Sequence, residues 1–435
     1  MGKNNFRKIA TITLFESAVQ WYCFLLYGTA AGTVFHKVFF SQTGNGTTAL
    51  ILSYMSFAIG YIAGPFGAIF FGHIGDRKGR KVTMYASLLM MGISTSIIGI
   101  LPPAASAGVG VVIVLQLMRL AQCFGRGGTW GGGILMAYEN VPENKRSFYA
   151  AIPQIGLPIG FGLSSILIAV PTLLLPEDIF FTWGWRIPFL AAIILTVIVI
   201  RQKGEMMETE DYKKAQAKLE AEEAEGKKHK VGFIPMVKGY WKTLLLGCGT
   251  RWVDGTFYNI FIVWILSYCI NWLGMPLIQT YIITIIACIF KIPFTLFGGW
   301  WAQKLGNTRT FVIGALASAV LSIPTLKVIE LSKGNLAITI IGIVLGWSIA
   351  YNLIWAVISS LWSSYFETEV RYSGISFVYH VPSFLVAGMV PTICTLLINY
   401  GKGDTIYVGI YSTVVALISA ACALALKVRH DRGEK

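Results

Sequence analysis

Twelve separate apolar runs of at least about eighteen residues each constrain this chain more than any other feature, because a run of that length crosses a hydrocarbon core of ~30 Å as a helix. They fall at 9–35, 48–72, 82–103, 109–138, 148–175, 183–200, 240–270, 276–300, 309–329, 335–360, 374–399 and 405–427. Inside a bilayer every backbone polar group needs an internal partner, which leaves helices and closed barrels. Barrel strands would alternate in segments of ~10 residues, and no such alternation occurs here. Of 435 residues, 55% are hydrophobic and 13% charged, with mean hydropathy +0.64, whereas soluble domains hold about 25% charged residues. The expected fold is an all-α polytopic membrane protein of twelve transmembrane helices. Several runs exceed the ~20 residues a crossing needs, so tilted or broken helices are expected.

The net charge of +14 reads as a positive-inside bias rather than a nucleic-acid surface. An even number of spans puts both termini on one side. With that side taken as the cytoplasm, 26 of the 35 Lys and Arg fall in the termini, the linker and the loops of that side. Five (Lys37, Arg186, Lys327, Lys333 and Lys402) face the other way, and four (Arg119, Arg126, Arg251 and Lys291) lie within spans. A multi-pass protein of the cytoplasmic (inner) membrane with both termini cytoplasmic is therefore expected, and the first run is too long for a cleavable signal. The polar stretch 201–239, rich in Ala, Glu and Lys from Glu205 to Lys230, separates an N-terminal half, 1–200, from a C-terminal half, 240–435. All seven cysteines lie inside spans without metal-ligand spacing, so neither a disulfide set nor a metal site is expected. Asn45-Gly46-Thr47 is a glycosylation sequon of the kind that arises by chance.

Between the second and third runs stands Gly72-His73-Ile74-Gly75-Asp76-Arg77-Lys78-Gly79-Arg80-Lys81. Charges so close to hydrocarbon belong in a loop at the membrane surface. As bare chemistry this is a basic loop that stops two helices. Its spacing and position also resemble the signature loop of the major facilitator superfamily. Gly299-Trp300-Trp301-Ala302-Gln303-Lys304-Leu305-Gly306-Asn307-Thr308, after the eighth run, is a weaker echo with Gln303 at the acidic position. The resemblance implies two six-helix halves around a central substrate site. It also gives Asp76, Arg77, Gly79 and Arg80 a gating role, with Asp76 accepting backbone N–H groups at the start of span 11 near Ser373-Gly374.

Nearly the whole chain is also similar to one branch of that superfamily, the metabolite:proton symporters, which includes alpha-ketoglutarate, shikimate, citrate and proline/betaine permeases. The similarity rests on Tyr27-Gly28-Thr29-Ala30-Ala31 with Phe39-Phe40, on Arg119-Leu120 with Gln122, Gly127-Gly128 and Trp130-Gly131-Gly132, on Trp183-Gly184-Trp185-Arg186-Ile187-Pro188-Phe189, and on Val370-Arg371-Tyr372-Ser373-Gly374. It implies a secondary active transporter of a small metabolite, coupled to protons. The departures are as informative. Where the branch has Glu-Trp-Tyr-Asp-Phe, this chain has Gln20-Trp21-Tyr22-Cys23-Phe24; Arg-Pro becomes Gly64-Pro65, and Gly-Gly-Glu becomes Gly127-Gly128-Thr129. Three carboxylates and one arginine are missing, while Glu16 and Arg126 are added.

An ionisable residue inside a span is a functional candidate. At 1.5 Å rise per residue, Glu16 lies roughly 10 Å from the cytoplasmic end of span 1 and Thr129 roughly 13 Å from that of span 4. The added carboxylate thus stands at the depth of a lost one, with Arg126 one turn further up. Either Glu16 and Arg126 pair across the N-half cavity, or Glu16 reaches the surface and Arg126 finds backbone carbonyls. Arg251 and Asp254, three apart, share one face of span 7 as a locking pair or as part of a site. Lys291 either lines the cavity or snorkels, and His380 either titrates or is simply packed. Four basic residues against two clear carboxylates favour an anionic substrate, most simply a mono- or dicarboxylate. Arg126 and Arg251, with Lys291 as a third, are the expected substrate contacts; Glu16, Asp254 and His380 are the expected proton carriers. Trp21, Tyr22, Trp130, Trp252 and Tyr258 either stack on substrate or pack. Gly125 to Gly133 follows no strand and reads as close helix packing rather than a nucleotide loop.

An enzyme is not expected. The chain has no His-Glu-x-x-His, no Gly-x-Ser-x-Gly and no pair of aspartates deep in spans. No cofactor is expected, and a monomer is. An uncoupled facilitator or exchanger, or a nutrient sensor on a transporter scaffold, is the alternative.

Overall fold

The computed structural model describes residues 3–43, 45–78, 80–139, 145–202, 233–367 and 370–433. Among them ten helices are long and apolar enough to cross a membrane. The helix Lys3–Thr33 and a divided eleventh crossing complete twelve, the twelve-helix architecture read from the sequence. We number them as spans. Spans 1 to 6 are Lys3–Thr33, Gly46–Lys78, Arg80–Ile100, Val109–Glu139, Arg146–Leu174 and Glu177–Arg201. Spans 7 to 10 are Met236–Asn271, Leu277–Leu305, Asn307–Leu331 and Leu336–Tyr365. Span 11 is the series Arg371–His380, Phe384–Gly388 and Val390–Tyr400, and span 12 is Ile406–Asp431.

Two local expectations are corrected, and a third, a broken helix, is met in span 11. The charged decapeptide is not a loop: span 2 stays helical through Lys78 and span 3 resumes at Arg80. Intrahelical bonds keep the helical backbone satisfied through this stretch. Gly79 and the side chains of Asp76, Arg77 and Arg80 lie outside what is described. The helix of span 7 begins at Phe233, earlier than the apolar run, and is kinked at Tyr240. Span 11 is broken by a π-helical segment, Phe384–Gly388. The stretch Glu205–Lys230 lies outside the described residues.

Glycine sets the spacing of spans 2 and 4. A Cβ on Gly67 would lie 2.0 Å from the Phe124 carbonyl oxygen, and one on Gly127 would lie 2.4 Å from the Ala68 nitrogen. Only hydrogen at these positions permits that approach. The C-terminal half is less regular. Spans 7, 10 and 11 contain the π segments Ile260–Trp264, Val344–Ala350 and Phe384–Gly388, whereas the described π segment of the N-terminal half, Phe180–Gly184, lies at the start of span 6.

The halves meet at both ends of the seam between them. At the end away from the termini, Tyr54 Oη lies 2.6 Å from Ser267 Oγ, and Thr33 Oγ1 lies 3.2 Å from Tyr281 Oη. At the end that carries the termini, Ser147 Oγ donates to Asn307 Oδ1 at 2.8 Å. Deeper in, Trp355 Nε1 donates to the Gln154 carbonyl at 3.0 Å. Between these contacts Arg126, Arg251 and Asp254 are buried.

Candidate functional site: charges on the seam between the halves

Span 4 brings Arg126 to the seam, where it is buried. Its guanidinium carbon lies 3.8 Å from the Phe24 ring centroid and 4.6 Å from that of Trp21, both on span 1. Its Nη2 donates to the hydroxyl of Tyr379, on span 11 of the other half. Among the described residues no ion pair joins Arg126 to Glu16, and Glu16 does not reach the surface either. Height separates them: Arg126 points to the seam at the level of Trp21 and Phe24, five to eight residues up span 1 from Glu16. Glu16 is buried lower on span 1, within electrostatic range of Tyr85 on span 3.

Span 7 supplies the facing charges. Arg251 Nη1 pairs with Asp254 Oδ2 three residues along the same helix, and the Tyr351 hydroxyl donates to Asp254 Oδ1. All three are buried. The Arg251 guanidinium carbon lies 4.4 Å from the Tyr379 ring centroid. One phenol from span 11 therefore receives an arginine from each half. A guanidinium on an aromatic face is attracted by the ring quadrupole, more so where water is excluded.

Lys291 lies beside this cluster rather than within it. Its Nζ donates to Asn352 Oδ1 at 3.0 Å and to the Trp347 carbonyl at 3.3 Å, and lies 4.4 Å from the Tyr351 ring centroid. It is fully buried and does not snorkel. Asn352 donates back to the Lys291 carbonyl at 2.9 Å. Lys291 thus anchors span 8 to the end of the π segment of span 10. Tyr351 connects the two groups, with its ring toward Lys291 and its hydroxyl on Asp254.

His380 packs on span 2. A Cβ on Gly64 would lie 2.8 Å from His380 Nδ1, so the histidine fills space that any other residue at 64 would restrict. Gly64 stands where the resemblance gives arginine. The imidazole is edge-on to Tyr379 at 5.0 Å between centroids.

Arg119 is held apart from the seam. It donates to the Gln122 side chain and, at 3.4 Å, to the Phe57 carbonyl, and lies 4.4–4.6 Å from the rings of Phe24, Tyr27 and Phe57. This arrangement ties spans 1, 2 and 4 together. Among the aromatic candidates, Trp21 meets Tyr258 and Trp355 edge-on across the seam. Tyr22 instead donates to the Pro188 carbonyl at 2.5 Å, Trp252 is partly buried against the core, and the side chain of Trp130 is outside the description. The sequence reading missed Tyr379, Tyr351 and Asn352. Their signal is weak, since neutral residues in spans usually just pack. No group of His, Cys, Asp and Glu among the described residues has the arrangement of a metal site.

The family model of the Major Facilitator Superfamily matches residues 10–391. The chain belongs to the major facilitator superfamily. It is 33% identical to the inner membrane metabolite transport protein YhjE of Escherichia coli, over 98% of this chain and 96% of that one. It is 31% identical to the shikimate transporter of Escherichia coli, over 97% and 94%. Identity to a proline/betaine transporter of Salmonella typhimurium is 27%, over 98% and 84%. Among solved structures, a D-xylose-proton symporter aligns with TM-score 0.71 at 16% identity over 96% of both chains. A partially occluded inward-open xylose transporter from E. coli aligns with TM-score 0.72 at 15% identity over 97% of both. At that identity these neighbours establish the fold. The chain is a membrane transporter of a metabolite and not an enzyme.

Proposed function

We propose that this transporter carries a small organic carboxylate together with a proton across the cytoplasmic membrane by alternating access, with both termini in the cytoplasm. The observation that carries the reading is the convergence of Arg126 and Arg251, one from each half, on Tyr379. A ligand held by both halves bridges the bundles that rock in this fold, and guanidinium groups suit carboxylates through paired, charge-assisted hydrogen bonds. The relatives named for shikimate and for proline/betaine lend support, since all three compounds bear one carboxylate. Lys291 is the third candidate contact, reached through Tyr351.

Coupling is assigned to the Arg251–Asp254 pair. A substrate carboxylate and Asp254 compete for one guanidinium, and a proton on Asp254 releases Arg251 to the substrate. That links proton and anion occupancy in one exchange of partners. Glu16 and His380 are the other candidates. The signature residues Asp76, Arg77, Gly79 and Arg80 are assigned to the gate at the cytoplasmic end.

The test is uptake by proteoliposomes, with shikimate, proline, betaine and a set of mono- and dicarboxylates, under an imposed pH gradient. Accumulation of at least one carboxylate with proton entry is expected. Asp254→Asn is expected to lose accumulation and keep counterflow. If Glu16→Gln gives that pattern and Asp254→Asn does not, coupling belongs to Glu16. Accumulation that ignores the pH gradient in the wild type removes proton coupling.

A further inference from the structure

Two guanidinium groups carry like charges, yet Arg126 and Arg251 approach the same buried phenol. The Tyr379 hydroxyl accepts from Arg126, whose guanidinium carbon also lies 5.3 Å from the ring centroid, while that of Arg251 lies 4.4 Å away. The ring is held edge-on by His380 and, at 6.2 Å between centroids, by Trp362. Tyr379 is the last residue but one of the first helical piece of span 11, five positions before the π segment that breaks the span. It therefore stands on an irregular helix of one half and reaches the arginine of the other.

We propose that Tyr379 is the internal ligand of the empty carrier, holding Arg126 and Arg251 across the seam until a substrate carboxylate replaces its hydroxyl on Arg126. The inference rests on the carboxylate reading above. A phenol presents one neutral acceptor oxygen, whereas a carboxylate presents two oxygens and a full charge, so the carboxylate wins Arg126 when present. When it is absent, the hydroxyl accepts from one nitrogen of the Arg126 guanidinium and the ring offsets part of the repulsion between the two cations. The empty carrier then crosses between its two faces with both arginines held on Tyr379. Tyr379 serves the return of the empty carrier and competes with loading.

The experiment compares net uptake into empty proteoliposomes with exchange at equal concentrations on both sides, for wild type and Tyr379→Phe. The probe is whichever carboxylate the wild type accumulates. The phenylalanine keeps the ring and removes the hydroxyl. Net uptake is expected to fall about tenfold while exchange stays within about twofold, because only net uptake needs the empty carrier to return. The half-saturation concentration for exchange is expected to fall about tenfold, the scale of one hydrogen bond to a charged group. An unchanged half-saturation with an unchanged ratio of net uptake to exchange overturns the proposal. So does loss of both activities in a folded variant, since Tyr379 would then be needed for binding. Tyr379→Trp repeats the comparison if the phenylalanine variant does not insert. The methyl ester of the probe is tested on the wild type: ester transported as well as acid contradicts the carboxylate reading itself, whatever Tyr379 does.

Discussion

The two halves handle buried charge differently. In the N-terminal half, the described partners of Arg119 and Arg126 are aromatic rings and neutral oxygens, and span 4 packs on span 2 through glycine. In the C-terminal half, Arg251 has a carboxylate on its own helix and a tyrosine that shares it. The spans that carry those groups contain π segments. Such segments leave the hydrogen-bond ladder imperfect and recur at functional sites. The difference lies in Arg251, whose partner is a carboxylate that a proton can neutralise, whereas the described partners of Arg126 carry no charge.

The largest expected effect separates the two arginines. Arg251→Met leaves Asp254 buried without its cation, at a cost of about 3–5 kcal/mol. Arg126→Met removes a hydrogen bond to a buried hydroxyl and costs about 1–3 kcal/mol. Unfolding in detergent compares them. Arg251→Met combined with Asp254→Leu is expected to recover most of the stability while uptake stays lost. Equal costs for the two arginines would erase the distinction between the halves.

A smaller effect is expected where span 2 meets span 11. Gly64→Ala drives a methyl group against His380 at 2.8 Å, an overpacking cost of about 1–3 kcal/mol. His380→Ala in the same chain relieves it. A double variant no more stable than Gly64→Ala would mean that another neighbour bears the clash.

The smallest effect is expected far from the seam. Lys327 Nζ lies 2.7 Å from Asp404 Oδ1 and 3.0 Å from Glu330, whose Oε2 also accepts from the Thr405 nitrogen and hydroxyl. The hydrogen bond from Lys327 holds the Asp404 carboxyl below the usual carboxylate range. Its contribution is therefore full above about pH 4, the ordinary value for aspartate, and is lost as pH falls through the lowered one. The group is solvent-exposed, so Asp404→Asn is expected to lower the unfolding midpoint by no more than about 2 °C at neutral pH. A larger fall would make this clamp part of the machinery that moves.

The spans were legible because hydrocarbon thickness sets the length of each apolar run and leaves the backbone no other structure. Where helices end was less legible. Nothing in the composition of the Gly72–Lys81 stretch distinguishes a surface loop from helices that continue beyond the apolar layer. At the site, Arg126, Arg251 and Asp254 announced themselves as charges in apolar runs, and the spacing of three put the last two on one face. Tyr379 and Tyr351 carried no such mark, for their roles come from how spans 7, 10 and 11 approach one another. Glu16 stands at the depth of Thr129, whereas Arg126, a turn further up span 4, lies level with Trp21 and Phe24 and so out of reach of Glu16.

The central claim is that one substrate carboxylate is shared by an arginine from each half. A cryo-electron-microscopy structure of the carrier with a transported carboxylate bound tests it most directly. Carboxylate oxygens are expected within about 3.2 Å of both the Arg126 and Arg251 guanidinium groups, with the Tyr379 hydroxyl displaced from Arg126. A substrate held by one half alone, with Arg126 still on Tyr379 and Arg251 still on Asp254, would contradict it.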